Sequence, residues 1–399
     1  MEKRDIIIVG AGPAGSSAAF FLSRLGLDVL LLERKKLPRV KPCGDGIGPR
    51  AVLMLKEMGL SKWLSDNHFF RIERMRLISQ SGRTIISDTS GYDFPTPYGY
   101  VIRRDIFDKR LADRAVEVGA TLREGFKVTS FLLERGRGFG VVGEVKGVET
   151  HVSAKLIVVA DGSTGSLSKK LVDIDKETQA IAYRGYADFD DKLDNSVNIY
   201  FSDALPKGYG WIFPLSNNSA NVGIGSLGMR KDKIDLKDAF NDFIDTTKIP
   251  ISLKDGKFSE ERQGSVMRMS FGRVPLHFPG IAIVGDAAGL VSPINGEGIS
   301  HAIESSALLS RALEGNTDSF NSIDRALERY SRLMRKEYDS YFRWARMLGL
   351  FLSNHKRLNN LIKKAEKDDT LAHSLTGVLS NTIHPRELRR LDVLKRIFF

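Results

Sequence analysis

The stretch Asp5-Ile-Ile-Ile-Val9-Gly10-Ala-Gly12-Pro-Ala14-Gly15, continuing to Asp28-Val-Leu-Leu-Leu-Glu33, decides the fold. Residues 5–9 are a short β-branched apolar run, the kind that forms a strand buried on both faces of a parallel sheet. Glycines follow at once and open a helix that carries Ala18, Ala19, Leu22 and Leu25 at helical spacing, and Gly26 ends it. Residues 28–33 form the next strand. The three glycines serve different physical ends, since the first permits the tight turn, the second lets backbone approach a pyrophosphate, and the third lets helix and strand pack closely. The helix N-terminus then faces the phosphates. Glu33, at the tip of the second strand, is placed to accept hydrogen bonds from an adenosine ribose. Strand, turn, helix, strand and terminal acid in register predict a dinucleotide site, but NAD and FAD use the same geometry.

Outward from that run, 399 residues suffice for one large two-part domain or for two to three smaller ones. With 42% hydrophobic and 27% charged residues, the composition is that of a globular protein, without repeats or low-complexity segments. The single cysteine, Cys43, excludes an intramolecular disulfide and a cysteine metal cage, which fits a reducing cytoplasm. The seven histidines lack the close spacing of a zinc helix, so no metal site is expected. The apolar run from Ile6 to Ser23 is split by Gly10, Gly12, Pro13 and Gly15, and reads neither as a membrane span nor as a signal peptide. The net charge of +11 is concentrated at the end of the chain, where residues 321–399 hold 17 Lys and Arg against 9 Asp and Glu. Such a tail suits anionic lipid, nucleic acid or an acidic electron-donor protein, or is simply a solvated helical face.

Two later segments bear on the nucleotide. Leu156-Ile-Val-Val-Ala-Asp161-Gly162 is an apolar strand closed by an Asp-Gly turn, and Ile281-Ala-Ile-Val-Gly285-Asp286-Ala-Ala-Gly289 is another, followed by a helix from about Gly298. With residues 5–33 they resemble the three fingerprints of the para-hydroxybenzoate-hydroxylase-like flavoprotein superfamily, a likeness that spans the first 320 residues. The resemblance implies FAD as cofactor. It places Asp286 on the ribityl and pyrophosphate side, Asp161-Gly162 against the pyrophosphate and the neighbouring loop, and Arg104 at the superfamily's arginine position, with Arg103 beside it. Pro293-Ile-Asn-Gly296-Glu-Gly298 falls against the flavin ring, where backbone N–H groups at a helix start would face the charge gathering around N1 and O2 of reduced flavin. A plain helix cap is the alternative for that segment.

Between Asp175 and about Met269 the chain changes to short alternating strands such as residues 196–201 and 220–225, which predict an antiparallel sheet on the substrate side, joined by residues 71–100. Within it, Pro206-Lys-Gly208-Tyr209-Gly-Trp211-Ile-Phe213-Pro214, followed after eight residues by Gly223-Ile-Gly225, resembles the signature of the geranylgeranyl reductase family. Tyr209 and Trp211, two apart on a strand, share one face and offer a flat aromatic wall with polar tips, which suits a polyprenyl chain; ordinary core aromatics are the alternative. The loop Val40-Lys-Pro-Cys43-Gly44-Asp45-Gly46-Ile-Gly48-Pro-Arg50 also resembles that family's Cys-Gly loop near flavin and substrate. Cys43 there either tunes or assists protonation or is an inert, buried thiol.

The expected architecture is therefore α/β: a Rossmann-like FAD-binding domain (1–70, 100–174 and 270–320), an antiparallel-sheet substrate domain (71–99 and 175–269) and a helical C-terminal region (321–399). The resemblance implies hydride delivery from reduced FAD to one carbon of an isolated alkene and a proton to the other. Cofactor contacts are expected at Gly10, Gly12, Ala14, Gly15, Glu33, Cys43, Gly44, Arg104, Asp161, Gly162, Gly285, Asp286, Pro293, Gly296 and Gly298, and catalytic contacts at Cys43, Tyr209, Trp211 and Gly296. No residue reads as a general acid. Substrates implied are archaeal ether-lipid precursors or the isoprenoid tails of menaquinone or chlorophyll. NAD(P)H and ferredoxin both stay open as electron donor. The interleaved apolar and basic run Tyr341–Leu352 rests on an anionic bilayer, which would make a cytoplasmic protein peripheral to the inner face of the membrane, or closes the substrate tunnel, or packs its Trp344, Leu348 and Phe351 face against the flavoprotein body, the more common use of such a stripe. Nucleic acid is not an expected partner. Two other functions use the same residues: a flavin monooxygenase or halogenase of an aromatic compound, and an RNA- or membrane-binding module on a vestigial nucleotide fold.

Overall fold

The computed structural model describes residues 1–172, 178–202, 205, 208–227, 235–246, 253–258 and 262–389. Pro206 and Lys207 of the aromatic motif, the 174/175 boundary and residues 390–399 of the basic tail lie outside the described residues.

The strand Glu2–Val9 pairs in parallel with Val29–Glu33 on one side and with Val148–Val159 on the other. Thr121–Glu124 extends the sheet beyond Val29–Glu33, and Ile281–Ile283 extends it beyond Val148–Val159, both in parallel. Chain order therefore reverses at Glu2–Val9, and the crevice at the carboxyl end of that strand is where such sheets bind ligands. The helix Pro13–Ser23 is buried along its whole length because it is pressed between this sheet and the helices Arg104–Glu117 and Ile299–Leu313. Its small residues Ala14, Gly15, Ala18 and Ala19 permit this close packing, and Ser306 and Ser310 of Ile299–Leu313 donate to the carbonyls of Ala14 and Phe21.

In the second sheet, the strands Gln179–Phe189, Ser219–Leu227, Gly208–Pro214 and Ser196–Tyr200 lie side by side, each antiparallel to the next. Arg74–Ile78 joins beyond Ser196–Tyr200 and pairs with it in parallel, which departs from a purely antiparallel expectation, and Thr84–Asp88 follows it, antiparallel, at the edge. The reason is topological: Arg74–Ile78 and Ser196–Tyr200 are separated by a long excursion through the nucleotide half, and a crossover permits the parallel sense that a hairpin cannot.

Alternation along these strands divides the sheet's two faces. Ile212, Val222 and Ile224 pack under the helix Leu236–Thr246, against Phe240 and Phe243. The other face carries Trp211 and Ile199 with Met75, Leu77 and Ile85, and the helices His355–Ala365 and Asp369–Leu379 close over it through Leu358, Leu361, Leu371 and Leu375. The long helix Phe320–Leu352 instead buries Tyr330, Met334, Tyr338 and Phe342 in the core of the nucleotide half. The C-terminal helices thus bridge both halves. Among the described residues no helix is long and apolar enough to cross a membrane, and no group of three His, Cys, Asp or Glu is disposed to hold a metal ion.

Candidate active site

At the carboxyl end of Glu2–Val9 the chain turns through Gly10, whose φ of +105° lies in the region that favours glycine. A Cβ on Gly10 would stand 2.5 Å from the Ala160 carbonyl oxygen, and one on Gly15 would stand 1.8 Å from the Gly10 carbonyl oxygen. Both glycines are therefore required by packing. Gly12 differs: a Cβ there would meet only the tip of Arg39, at 3.6 Å, and the position faces a cavity. Gly12 is also the N-cap of Pro13–Ser23 and supplies no side-chain cap, so the positive end of that helix opens onto the same cavity. Glu33 accepts from the Ala11 N–H at 3.0 Å and lines the cavity beside Arg39, which lies 3.6 Å from Glu33 and 3.3 Å from Asp108.

Arg104 is buried and forms two hydrogen bonds to Asp108, at 2.7 and 2.9 Å. Burial works against its charge, but Asp108 and the Cys43 thiol beside it outweigh that cost and hold the guanidinium firmly protonated. Lys41, also on the cavity wall, is pulled below its ordinary value by burial; Asp286 and Cys43 counter the shift, and Arg104 and Arg39 add to it.

Asp161 and Asp286 organise the loop between them. Asp161 accepts from the N–H groups of Leu167 and Ser168 through one oxygen, while its other oxygen is sealed from solvent with no partner among the described residues. Ser163 of the same loop donates to Asp286 at 3.0 Å. Beneath lies Arg268, only 1% exposed, donating to Ser168 and to the Gly165 and Ala287 carbonyls. Gly285 takes no part in the cavity wall. A Cβ there would stand 2.6 Å from the Ala14 methyl, so Gly285, like Gly15, lets elements pack.

The donor array expected around residues 293–298 is narrower than the sequence implies. The Gly296 N–H is held by the Ser292 carbonyl, that of Glu297 by the Asn295 side chain, and that of Ser300 by the Glu297 carboxylate. The N–H groups of Gly298 and Ile299, at the start of Ile299–Leu313, remain without a protein acceptor among the described residues and border the cavity. Asn295 also ties this loop to two other elements: its carbonyl accepts from the Tyr209 hydroxyl, and its amide donates to Leu379 of the C-terminal helices. The Tyr209 phenol, raised above its ordinary range by burial, is thus a fixed donor to backbone.

Tyr209, Trp211 and Phe213 stand on one face of their strand, with ring centres 6.2 and 6.1 Å apart in succession. The register pairs Trp211 with Gly223 and Tyr209 with Gly225. The glycines of the motif then have a plain cause: a Cβ on Gly223 would lie 2.2 Å from the indole ring, so the indole rests on bare backbone. Gly44 and Gly46 play the same part from the other side, where a Cβ would come within 3.1 and 3.3 Å of the Phe213 ring.

One cavity of about 890 Å³ joins these pieces. At one end it is bordered by Gly10, Gly12, Ala14, Glu33, Asp161, Gly162 and Asp286, and in the middle by Cys43, Gly44, Arg104, Pro293, Gly296 and Gly298. Beyond Tyr209 and Trp211 it is walled by Met75, Val197, Ile199 and Phe201, with Leu352 and Leu379 from the C-terminal helices. Sequence reading misses Arg39, Asp108, Arg268 and Asn221. Asn221 alone leaves a signal, as a polar residue on a strand whose other face is Ala220, Val222 and Ile224.

An uncapped helix N-terminus above a glycine that leaves room, a carboxylate at the second strand tip and a buried, unpaired Asp161 oxygen fit a dinucleotide whose far end reaches the middle of the cavity. Fold and site thus define a dinucleotide-binding protein whose nucleotide cleft runs into an apolar chamber. A family model described as an FAD binding domain matches residues 3–319. A menaquinone reductase of Mycobacterium tuberculosis is 33% identical over 96% of this chain and 92% of its own length. A digeranylgeranylglycerophospholipid reductase of Methanocella arvoryzae is 30% identical over 94% of this chain and 92% of its own. A geranylgeranyl bacteriochlorophyll reductase-like protein from Thermoplasma acidophilum shares the fold, with a TM-score of 0.83 over 98% of this chain and 99% of that one, at 24% identity. The chain belongs to the FAD-binding domain family, in the group of these menaquinone and digeranylgeranylglycerophospholipid reductases, and FAD is its cofactor.

Proposed function

We propose that the protein is an FAD-dependent reductase that saturates carbon–carbon double bonds of a polyprenyl chain, carried by an ether-lipid precursor or a quinone. The observation that carries this reading is the continuity of the cavity from the Gly10–Gly15 turn to an apolar chamber floored by Tyr209, Trp211 and Phe213. A chamber with so few polar groups suits a hydrocarbon tail better than a phenol. The names of the two relatives support the same substrate class.

Within this reading residues 1–70, 100–174 and 270–320 hold the cofactor, 71–99 and 175–269 the substrate, and 321–399 close the chamber. Gly12, Glu33, Arg39, Asp161, Asp286 and the Gly298 N–H would hold FAD, with Arg104 and Cys43 beside it. Reduced FAD, when bound, supplies the hydride. The chain's own work is to lay the alkene along the aromatic wall and to exclude water with Leu352 and Leu379. Tyr209, donating to the Asn295 carbonyl, positions the 293–298 loop.

The test is to load the protein with FAD, reduce it chemically without oxygen, and offer a geranylgeranyl lipid, menaquinone and simple phenols, with mass spectrometry of the products. Gain of two hydrogens per alkene is expected, and the productive arm names the carrier. Oxygen gain, or no change in any prenyl compound, would overturn the reading.

The end of Phe320–Leu352 gives the substrate a route. Met347 and Leu350 are 54% and 74% exposed, Arg343, Lys356 and Arg357 are exposed around them, and Gly349, Leu352 and Ser353 from the same turns line the cavity. In this reading the helix end rests in an anionic lipid surface and the chamber fills from the bilayer. Leu350→Glu is expected to weaken co-sedimentation with phosphatidylglycerol vesicles about 10-fold, since burying one leucine contributes roughly 1.5–3 kcal/mol. Unchanged partition would remove this contact.

A further inference from the structure

Asn221 is fully buried on the face of its strand that holds Gly223 and Gly225. Its side-chain oxygen accepts from the Trp211 indole N–H at 2.9 Å. Because an indole nitrogen only donates, this bond fixes which way the amide points. The two amide hydrogens then go to the Cys43 carbonyl at 2.7 Å and to the Asp45 carboxyl at 2.8 Å. Asp45 is itself unusual. It is fully buried, its φ of +63° lies in the left-handed region, and the same carboxyl oxygen also accepts from the Tyr186 hydroxyl at 2.7 Å. Burial pushes the Asp45 carboxyl above the usual carboxylate range, and its second oxygen has no partner among the described residues. The Tyr186 ring in turn lies against the Arg184 and Arg103 guanidinium groups, 4.2 and 4.5 Å from its centre. A carboxyl sealed off with one oxygen unpaired costs stability, and such costs persist where geometry matters more than stability.

We infer that Asn221 and Asp45 are positioning residues: together they clamp the Cys43–Gly44 loop onto the Trp211 wall and fix the cavity where its nucleotide and apolar halves meet. Cys43 and Gly44 border the cavity on one side of this junction, and Trp211 and Phe213 on the other. Without the clamp the loop's backbone loses its hydrogen-bonded tie to the aromatic strand, and the alkene its fixed relation to the cofactor. The inference rests on the proposed reductase activity for its purpose, but its structural content is measurable without any substrate.

Cys43 is the chain's only cysteine and is partly exposed, so its alkylation rate reports the loop directly. In the FAD-loaded protein, Asn221→Ala is expected to raise the rate of Cys43 alkylation by iodoacetamide about 10-fold, as the loss of its hydrogen bonds lets the loop open. Asn221→Asp keeps an acceptor for Trp211 but loses the N–H that holds the Cys43 carbonyl, and gives the same rise. Acrylamide quenching of Trp211, read with Trp63 and Trp344 replaced by Phe, separates the two: it increases in Asn221→Ala and stays at the parent value in Asn221→Asp. A loss of fold would move both readouts in both variants. The turnover number for the prenyl substrate falls about 10-fold or more in each, with FAD content unchanged. An unaltered Cys43 rate in both variants overturns the clamp, and an increased rate with undiminished turnover overturns its positioning role. If both optical and thiol readouts move as stated while the parent reduces no prenyl compound, the clamp stands and the functional reading falls.

Discussion

Gly12→Val is expected to yield a folded, colourless protein, whereas Gly15→Val is expected to yield little folded protein at all. The two glycines sit in one turn and read alike in sequence, yet their surroundings differ. At Gly15 an added Cβ would lie 1.8 Å from the Gly10 carbonyl oxygen and 3.2 Å from the Ala160 methyl, so the helix Pro13–Ser23 would have to withdraw from the sheet. That helix is buried throughout, and the repacking costs about 3 kcal/mol or more, a large share of the roughly 5–15 kcal/mol that holds a typical domain together. At Gly12 the φ of −85° suits any residue and the added atoms project into the cavity, 3.6 Å from Arg39. In the proposed assignment of that turn, valine takes the space that the pyrophosphate would fill. FAD affinity should fall by about 100-fold or more, equivalent to roughly 2.7 kcal/mol, with the melting temperature of the flavin-free protein within a few degrees of the parent. Equilibrium titration with FAD and thermal unfolding measure the two effects separately. A yellow Gly12→Val protein would contradict the assignment of that turn to the cofactor.

This contrast marks how far the sequence is legible. The parallel core can be read because its signal is local: an apolar run, glycines and a terminal acid within 33 residues. The same holds for the alternation of residues 208–214 and 219–225, which by itself places Tyr209, Trp211 and Phe213 on one face. Which glycine holds a ligand and which only lets a helix approach depends on what lies across the turn, and for Gly15 and Gly285 the answers are Gly10 and Ala14. Arg39 and Asp108 escape a reading of the sequence because their meaning lies in a chain of contacts from Glu33 to Arg104 that joins residues 33–39 to the distant residues 104–108. Asn221 and Asp45 are 176 residues apart, and no periodicity predicts that one amide would bridge them. The parallel pairing of Arg74–Ile78 is hidden for a related reason, since pairing sense follows from the path of the connection and not from the strand's own residues.

Replacement of Trp211 should divide the molecule cleanly along the same line. Its indole is 5% exposed, lies between the rings of Tyr209 and Phe213, and bonds Asn221; none of these partners belongs to the Gly10–Gly15 turn, to Glu33 or to the Asp161 and Asp286 loops. Trp211→Ala is therefore expected to keep FAD at full occupancy while prenyl turnover falls about 100-fold, the scale of loss that follows when a reacting group is displaced by about 1 Å. Truncating a buried tryptophan also costs about 3–5 kcal/mol of stability, so Trp211→Phe serves as the companion. It keeps an aromatic surface over Gly223 and loses the bond to Asn221, and should recover most of the stability but little of the turnover. The ratio of flavin to protein, the melting temperature and the turnover number, measured on both variants, separate a wall that positions substrate from one that only fills the core. If Trp211→Ala loses its flavin, the wall lies closer to the cofactor than the cavity indicates. If Trp211→Phe turns over like the parent, the indole N–H and its bond to Asn221 contribute nothing to placing the alkene, and aromatic area alone accounts for the motif.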